Sequence, residues 1–418
     1  MALLEISGLT VQRGTRTVLD NLDLTIESGE CVILVGENGA GKSTLIEAAA
    51  GILPLHSGSI AIQRPFGLTL QTDGIHGDEL VHERIGYAAN VAGVEKKSAE
   101  SLLERWNISH RRADRIGHLS GGMRRRLGVI QGLMPAHGEG ERICLLDEPS
   151  EGLDEASVQT LIGDLTALRE RGHAFLIATH DARLHDCATS ILTLDGKKVE
   201  KEPSTEAGDV PVLDPAEPTD SITRWSSDLD FRTKWTLLTR LVPWLVATLT
   251  LVALTDGIDL DGLDPSLRAA IFLLPTFLAA MAPHGGLQFA KENRCGDWWR
   301  AQGASLGSIN LGVFIALAIA PVVTIAFLSG EAKVIQDPVL LAFPLIMCAS
   351  TAIQELSSRM PRDNAQVISL LTLVLVWPFL LAVEAMASKD WTTAILAAGI
   401  PLVIWVAMPL FHPRTGSN

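Results

Sequence analysis

Apolar positions follow two rhythms along this chain. From Leu3 to Val199, short apolar runs alternate with polar loops and mixed segments, which predicts an α/β arrangement of short strands and helices. The opening MALLEISGLTVQRG alternates as a strand does. Cys31–Val35, Ile143–Leu146 and Phe175–Ala178 are apolar throughout. Continuous apolar strands of that kind suit a parallel sheet covered on both faces. A glycine-rich loop after the first of them leads into a predicted helix, Ser43–Ala50.

The pattern changes at Glu200. From there to Asp230 the chain is rich in Glu, Asp, Pro, Ser and Thr and poor in large apolar residues, which predicts a linker over residues 201–230. Six apolar stretches follow, near Trp235–Leu254, Leu267–Ala282, Leu306–Leu328, Val339–Leu356, Ala365–Ala387 and Trp391–Leu410. A bilayer-crossing helix needs roughly 17–25 such residues. The expected organisation is an α/β domain over residues 1–200, the linker, and an all-α six-helix transmembrane domain over residues 231–413.

Charge narrows the classes of partner. The formal net charge is -14, which speaks against nucleic acid, since phosphate backbones select basic faces. The expected cytosolic flanks of the spans hold Arg232, Lys234, Arg240, Lys291, Arg294, Arg300, Arg359, Arg362 and Arg414; the outer flanks hold Arg268, Lys333 and Lys389. This asymmetry predicts a multi-pass protein of the cell membrane with the α/β domain and both termini in the cytosol. The N-terminus lacks the basic-then-apolar layout of a signal peptide. Five cysteines without metal or CxxC spacing read as reduced, buried thiols.

Gly36, Glu37, Asn38, Gly39, Ala40, Gly41, Lys42, Ser43 and Thr44 read GENGAGKST, the G-x-x-x-x-G-K-[ST] phosphate loop, here after a strand and before a helix. Its backbone N–H groups can face the phosphates of ATP, Lys42 can reach the β- and γ-phosphates, and Ser43 can hold Mg²⁺. In ICLLDEP, Asp147 ends an apolar strand as a second metal carboxylate, and Glu148 can polarise the attacking water.

Leu119–Met123 reads LSGGM, ahead of the basic stretch Arg124–Leu127. It resembles the LSGGQ signature of the ABC transporter nucleotide-binding domain, and the motifs from residue 3 to 200 stand in that family's order. The resemblance implies roles by position. Gln71 would be the glutamine that touches Mg²⁺ and senses the membrane domain. Ser120, Gly121 and Gly122 would contact ATP held by a second copy, so a homodimer is implied. Gly152, Leu153 and Asp154 look like the D-loop, and His180 like the switch histidine on the γ-phosphate. Two positions depart from the pattern. Arg13 stands where the family places an aromatic residue on adenine, although a guanidinium can also stack on a base. Met123 replaces the usual Gln.

Between the second and third stretches lies FAKENRCGDWWRAQGAS, Phe289–Ser305. Paired Trp298 and Trp299 suit an interfacial helix in an aromatic belt; the segment is also the best candidate to dock on the nucleotide domain. Phe289, Glu292 and Gly296 resemble the pattern of CcmB, the haem-exporter permease of cytochrome c maturation, and QTDGIHGDEL resembles its ATPase partner CcmA. LSGGM also resembles ATPases of ABC-2 exporters. These resemblances imply a transported small molecule, haem first, with a lipid or drug as the alternative. A non-transporting membrane ATPase regulator would share the same sequence features.

Overall fold

A computed structural model describes residues 2–194, 198–217, 219, 221–234, 238, 242–255, 262–281, 289–304, 338–359 and 371–407. They form two compact units. One runs to Trp225 and includes Ala290–Ala304; the other takes Ser226–Phe289 and the described residues from 338 onward.

In the first unit, β1 (Ala2–Arg13) and β2 (Arg16–Glu27) form a long hairpin. After β3 (Cys31–Val35) and α1 (Lys42–Ala49), β4 (Ser57–Ile62) joins the hairpin in an antiparallel sheet of order β2-β1-β4. The remaining strands are β5 (Gly67–Thr69), β6 (Ile143–Asp147), β7 (Ala174–Ala178), β8 (Ser190–Thr193) and β9 (Lys198–Glu200). With β3 they build a sheet of order β5-β6-β7-β3-β8-β9, parallel except at β8–β9. β6 and β7 are buried at every position and β3 at all but its last, as strands covered on both faces must be. Helices α2 (Val81–Ala92), α3 (Gly121–Leu133) and α4 (Glu155–Glu170) pack an apolar core with Ile33, Leu146 and Ile177. This is the α/β P-loop fold expected.

The cysteines form no disulfide; four are buried and Cys348 is half-buried. Burial pushes the Cys144 thiol up to about 12, which keeps it protonated and inert.

The linker expectation is corrected at residues 201–216. Val210 and Leu213 insert into the core of the first unit. Leu213 N–H donates to His137 O at 2.8 Å, Glu95 N–H to Asp214 O at 2.7 Å, and Ala216 N–H to Gly93 O at 2.9 Å. Two apolar anchors and a few backbone bonds convert a polar run into an ordered strap. A helix, Ser221–Thr233, follows it, and its Trp225 is fully buried.

The second unit contains helices Val242–Thr255, Pro265–Met281, Ala342–Arg359, Val376–Ser388 and Trp391–Ala407. Phe272, Leu273, Phe343, Ile346 and Ala382 form its core, and Phe277 stacks on Phe379 at 4.4 Å. Among the described residues no helix is long and apolar enough to cross a membrane. Seventeen helical residues, as in Trp391–Ala407, reach about 26 Å, against roughly 30 Å of bilayer hydrocarbon. The expected six-span domain is therefore not met by these helices as they stand. The third expected span, Leu306–Leu328, lies outside the described residues.

Candidate active site

The glycine-rich loop leaves β3 at the edge of a cavity of about 960 Å³. Gly41 caps α1 with φ 115°, and a Cβ there would meet Val18 Cγ1 at 2.9 Å, so only glycine fits. α1 starts at Lys42 one residue earlier than expected, and its N-terminal N–H groups open on the cavity. Lys42 Nζ donates to Gly36 O at 2.7 Å and to Glu37 O at 3.2 Å, and lies 3.0 Å from His180 Nε2. An ammonium has no acceptor, so the imidazole nitrogen accepts.

β6 places two acids beside this lysine. Asp147 is buried and accepts from Ser43 Oγ at 3.1 Å. Burial pushes its carboxyl up to about 6, against a lowering by the Ser43 hydrogen bond and with further raising by the charges of Glu47 and Glu148. A buried carboxylate that costs this much to ionise, next to a hydroxyl and with Gln71 in the same cavity lining, is a hard oxygen set that fits Mg²⁺. Ser43, Asp147 and Gln71 would hold the ion.

Glu148 turns out of the strand with φ 46°, a left-handed conformation that is costly for a side chain with a Cβ. Three contacts hold it there. Its N–H donates to Ala178 O at 2.8 Å, its carboxylate accepts from His180 N–H at 3.2 Å, and Oε1 lies 3.6 Å from the His180 ring. The carboxylate faces the cavity with Lys42, Gln71 and His180.

Arg125 was not singled out from the sequence, where it falls in the basic stretch Arg124–Leu127. It is buried, and its guanidinium donates to Leu70 O at 2.8 Å, Asp147 O at 2.6 Å and Glu148 O at 2.5 Å, and pairs with Asp73 at 2.6 Å. One side chain thus fixes the end of β6 and the loop of Gln71 from α3. Its position among buried Leu127, Val129 and Ile130 is the one signal available in advance.

The remaining predicted residues divide. Arg13, Asn38, Gly39, Gly41, Ser43, Thr44 and Gln71 line the cavity, while Gly36, Glu37 and Ala40 shape the loop behind it. Ser120, Gly121 and Gly122 are not in that lining. Ser120 and Gly121 are exposed, and Ser120 caps α3 by accepting from Met123 N–H at 3.3 Å. Asp154 caps α4, accepting from Ser157 N–H at 3.0 Å.

Within the same unit, residues 290–304 are docked on the loop that carries Gln71. Glu292 accepts from Gly77 N–H at 2.8 Å and lies 3.0 Å from His76 Nε2. Asn293 Nδ2 donates to Ile75 O at 3.1 Å. Trp298 and Trp299 are buried, with the Arg84 guanidinium over Trp298 at 4.1 Å and Tyr87 6.0 Å from Trp299. The aromatic-belt reading of this pair is thereby corrected, because both rings are enclosed by protein. Gly296, in the helix Cys295–Ala301, is required by close packing, where a Cβ would meet Ala290 Cβ at 2.6 Å.

The ABC transporter family matches residues 19–151. The taurine import ATP-binding protein TauB of Escherichia coli O6:H1 is 32% identical over 200 residues, which cover 43% of this chain and 74% of that protein. The chain belongs to the ABC transporter family. The macrolide export ATP-binding/permease protein MacB 2 of Yersinia pestis bv. Antiqua is also 32% identical, over 221 residues and 48% of this chain. The match spans about a third of that relative's length, 32%. Among solved structures, the ATP-binding subunit of an ABC transporter is 25% identical over 47% of this chain and 90% of its own, with a TM-score of 0.43. A dimeric ATP-binding cassette with ADP and Pi is 20% identical over 47% of this chain and 98% of its own, with a TM-score of 0.42. LSGGM, Leu119–Met123, lies within the matched residues.

Proposed function

We propose that this ABC chain binds and hydrolyses ATP at the Lys42 cavity in a homodimer, and that turnover drives transport across the cell membrane. The observation that carries the reading is the convergence of Lys42, His180 and Glu148 on one cavity, with Ser43 and Asp147 hydrogen-bonded behind it. Lys42 and the N–H groups of α1 neutralise the phosphates. Glu148 orients and polarises the attacking water, and His180 bridges that carboxylate and the γ-phosphate. Mg²⁺, when bound, offsets charge on the β- and γ-phosphate oxygens. Arg125 keeps Glu148 and the Gln71 loop in register. Exposed Ser120 and Gly121 complete the site of a second copy.

A membrane role for the second unit is supported by what its helices leave outside. Leu249, Trp391, Ile395, Leu396, Val403 and Val406 are all more than half exposed, as apolar side chains at a membrane or partner surface are. The positive-charge asymmetry supports cytosolic termini. The cargo proposals differ in their support. Resemblance to CcmB supports haem export, but Glu292 and Gly296 serve the docked segment and say nothing about cargo. The relatives named for macrolide export support an amphipathic drug or lipid.

Glu148→Gln should leave ATP binding intact, abolish turnover and trap a dimer in size-exclusion chromatography with ATP. Turnover at the wild-type rate in this variant contradicts the catalytic assignment. For cargo, the full chain in lipid vesicles should show ATPase stimulation by haem, by lipids or by amphipathic drugs. Stimulation by none of the three removes all of these cargo proposals.

A further inference from the structure

Glu47 enters the site above only through the push of its charge on Asp147, yet it lies on α1 just past Lys42, is 4% exposed and lines the cavity. Both of its oxygens are taken. Oε2 pairs with Arg13 Nη2 and Oε1 with Arg294 Nη1. Arg13 lines the cavity at the end of β1, and Arg294 lies in the docked segment just before the helix Cys295–Ala301. The alternation continues from there. Arg294 Nε is 2.7 Å from Asp297 Oδ2, and Asp297 Oδ1 accepts from Arg300 Nη1 at 2.9 Å. Charges therefore alternate from the cavity wall into the docked helix as Arg13, Glu47, Arg294, Asp297 and Arg300.

We infer that Glu47 is a positioning residue that shares one buried negative charge between Arg13 and Arg294, so that the docked segment sets how freely Arg13 reaches the base of a bound purine nucleoside triphosphate. A buried carboxylate left without a counter-ion is strongly destabilising. With Arg294 on Oε1, Arg13 can lean toward the base while Glu47 stays neutralised. Without Arg294, Arg13 is the remaining partner and is held back. Burial works against the Arg294 charge, yet its bonds to Glu47 and its attraction to Glu47 and Asp297 outweigh this and raise its pKa. By reciprocity, a bound nucleotide that draws Arg13 away strengthens the hold of Glu47 on the docked segment.

The inference rests on the ATP-binding reading, and the test separates the two. ATP affinity and turnover are measured on the full chain in lipid, for wild type, R294Q, E47Q, E47D and each Glu47 variant combined with R294Q. Arg294 is partly exposed and Glu47 keeps Arg13 as a counter-ion, so R294Q should fold, and its unfolding temperature is measured alongside. R294Q should weaken ATP binding roughly threefold to tenfold with kcat unchanged, as expected for a partly buried ion pair. The loss should vanish in the E47Q background and return in E47D, which keeps the charge. An unchanged affinity in R294Q, or an equal loss in E47Q, overturns the bridge alone. A wild-type chain that binds no ATP overturns the ATP-binding reading and the bridge with it.

Discussion

The two units treat the same residue types in opposite ways. In the first, the apolar residues of β3, β6 and β7 are buried by helices of the same unit, and even the strap of residues 201–216 inserts Val210 and Leu213. In the second, the helix Trp391–Ala407 buries Ala394, Ala397 and Pro401 but leaves Ile395 at 66% exposure, with Val403 and Val406 close to it. Small residues face inward and large ones outward, the reverse of a water-soluble helix. The first unit completes its core with its own layers. The second packs helix on helix around Phe272, Phe343 and Phe379 as well as alanines, and still leaves large apolar side chains exposed.

Substitutions can break this contrast. The largest stability effect should come from Trp298→Ala, which empties the space under Arg84 in the first unit. Deleting a buried Trp costs about 3–5 kcal/mol, read as a lower unfolding temperature of the full chain in detergent. A loss below about 0.5 kcal/mol would show that the docked segment is only loosely seated. A smaller effect tests the buried carboxylate of β6. With its carboxyl raised from 3.8 to about 6, folded Asp147 holds its proton over a range where the unfolded chain has released it. Its contribution to stability is therefore present below pH 3.8 and falls as pH rises to about 6. In nucleotide-free protein, Asp147→Asn should be more stable than wild type above pH 6, and the gap should close toward pH 4. A gap independent of pH contradicts the raised pKa. The smallest effect should be Ile395→Gln, within about 0.5 kcal/mol in detergent because the residue is 66% exposed. It should nonetheless reduce partition into lipid vesicles. A core-sized loss in detergent would place Ile395 inside the unit and remove the contrast.

How far the sequence was legible follows the same line. β3, β6 and β7 could be read because a strand buried on both faces is apolar at every position. That Lys42, Glu148 and His180 would meet at one cavity, with Asp147 against Ser43, could be read because phosphate chemistry confines those residue types to short loops after strands. The strap could not, since two apolar anchors in a polar run look like a solvated linker. Arg125 and Glu47 could not, since a charge buried by long-range partners resembles a surface charge until the chain is folded. Membrane-length helices were read from apolar runs, and among the described residues no helix is long and apolar enough to cross a membrane.

The proposed homodimer requires exposed Ser120 and Gly121 to serve the ATP of another copy. Lys42→Ala and Ser120→Arg chains should each be inactive alone, the first lacking its phosphate lysine and the second its signature. A mixed dimer places the intact loop of the second chain opposite the intact signature of the first. Mixing the two before reconstitution should restore roughly a quarter of wild-type ATPase activity, one intact site in half of the dimers. No activity above that of the separate variants would contradict a site shared between two copies.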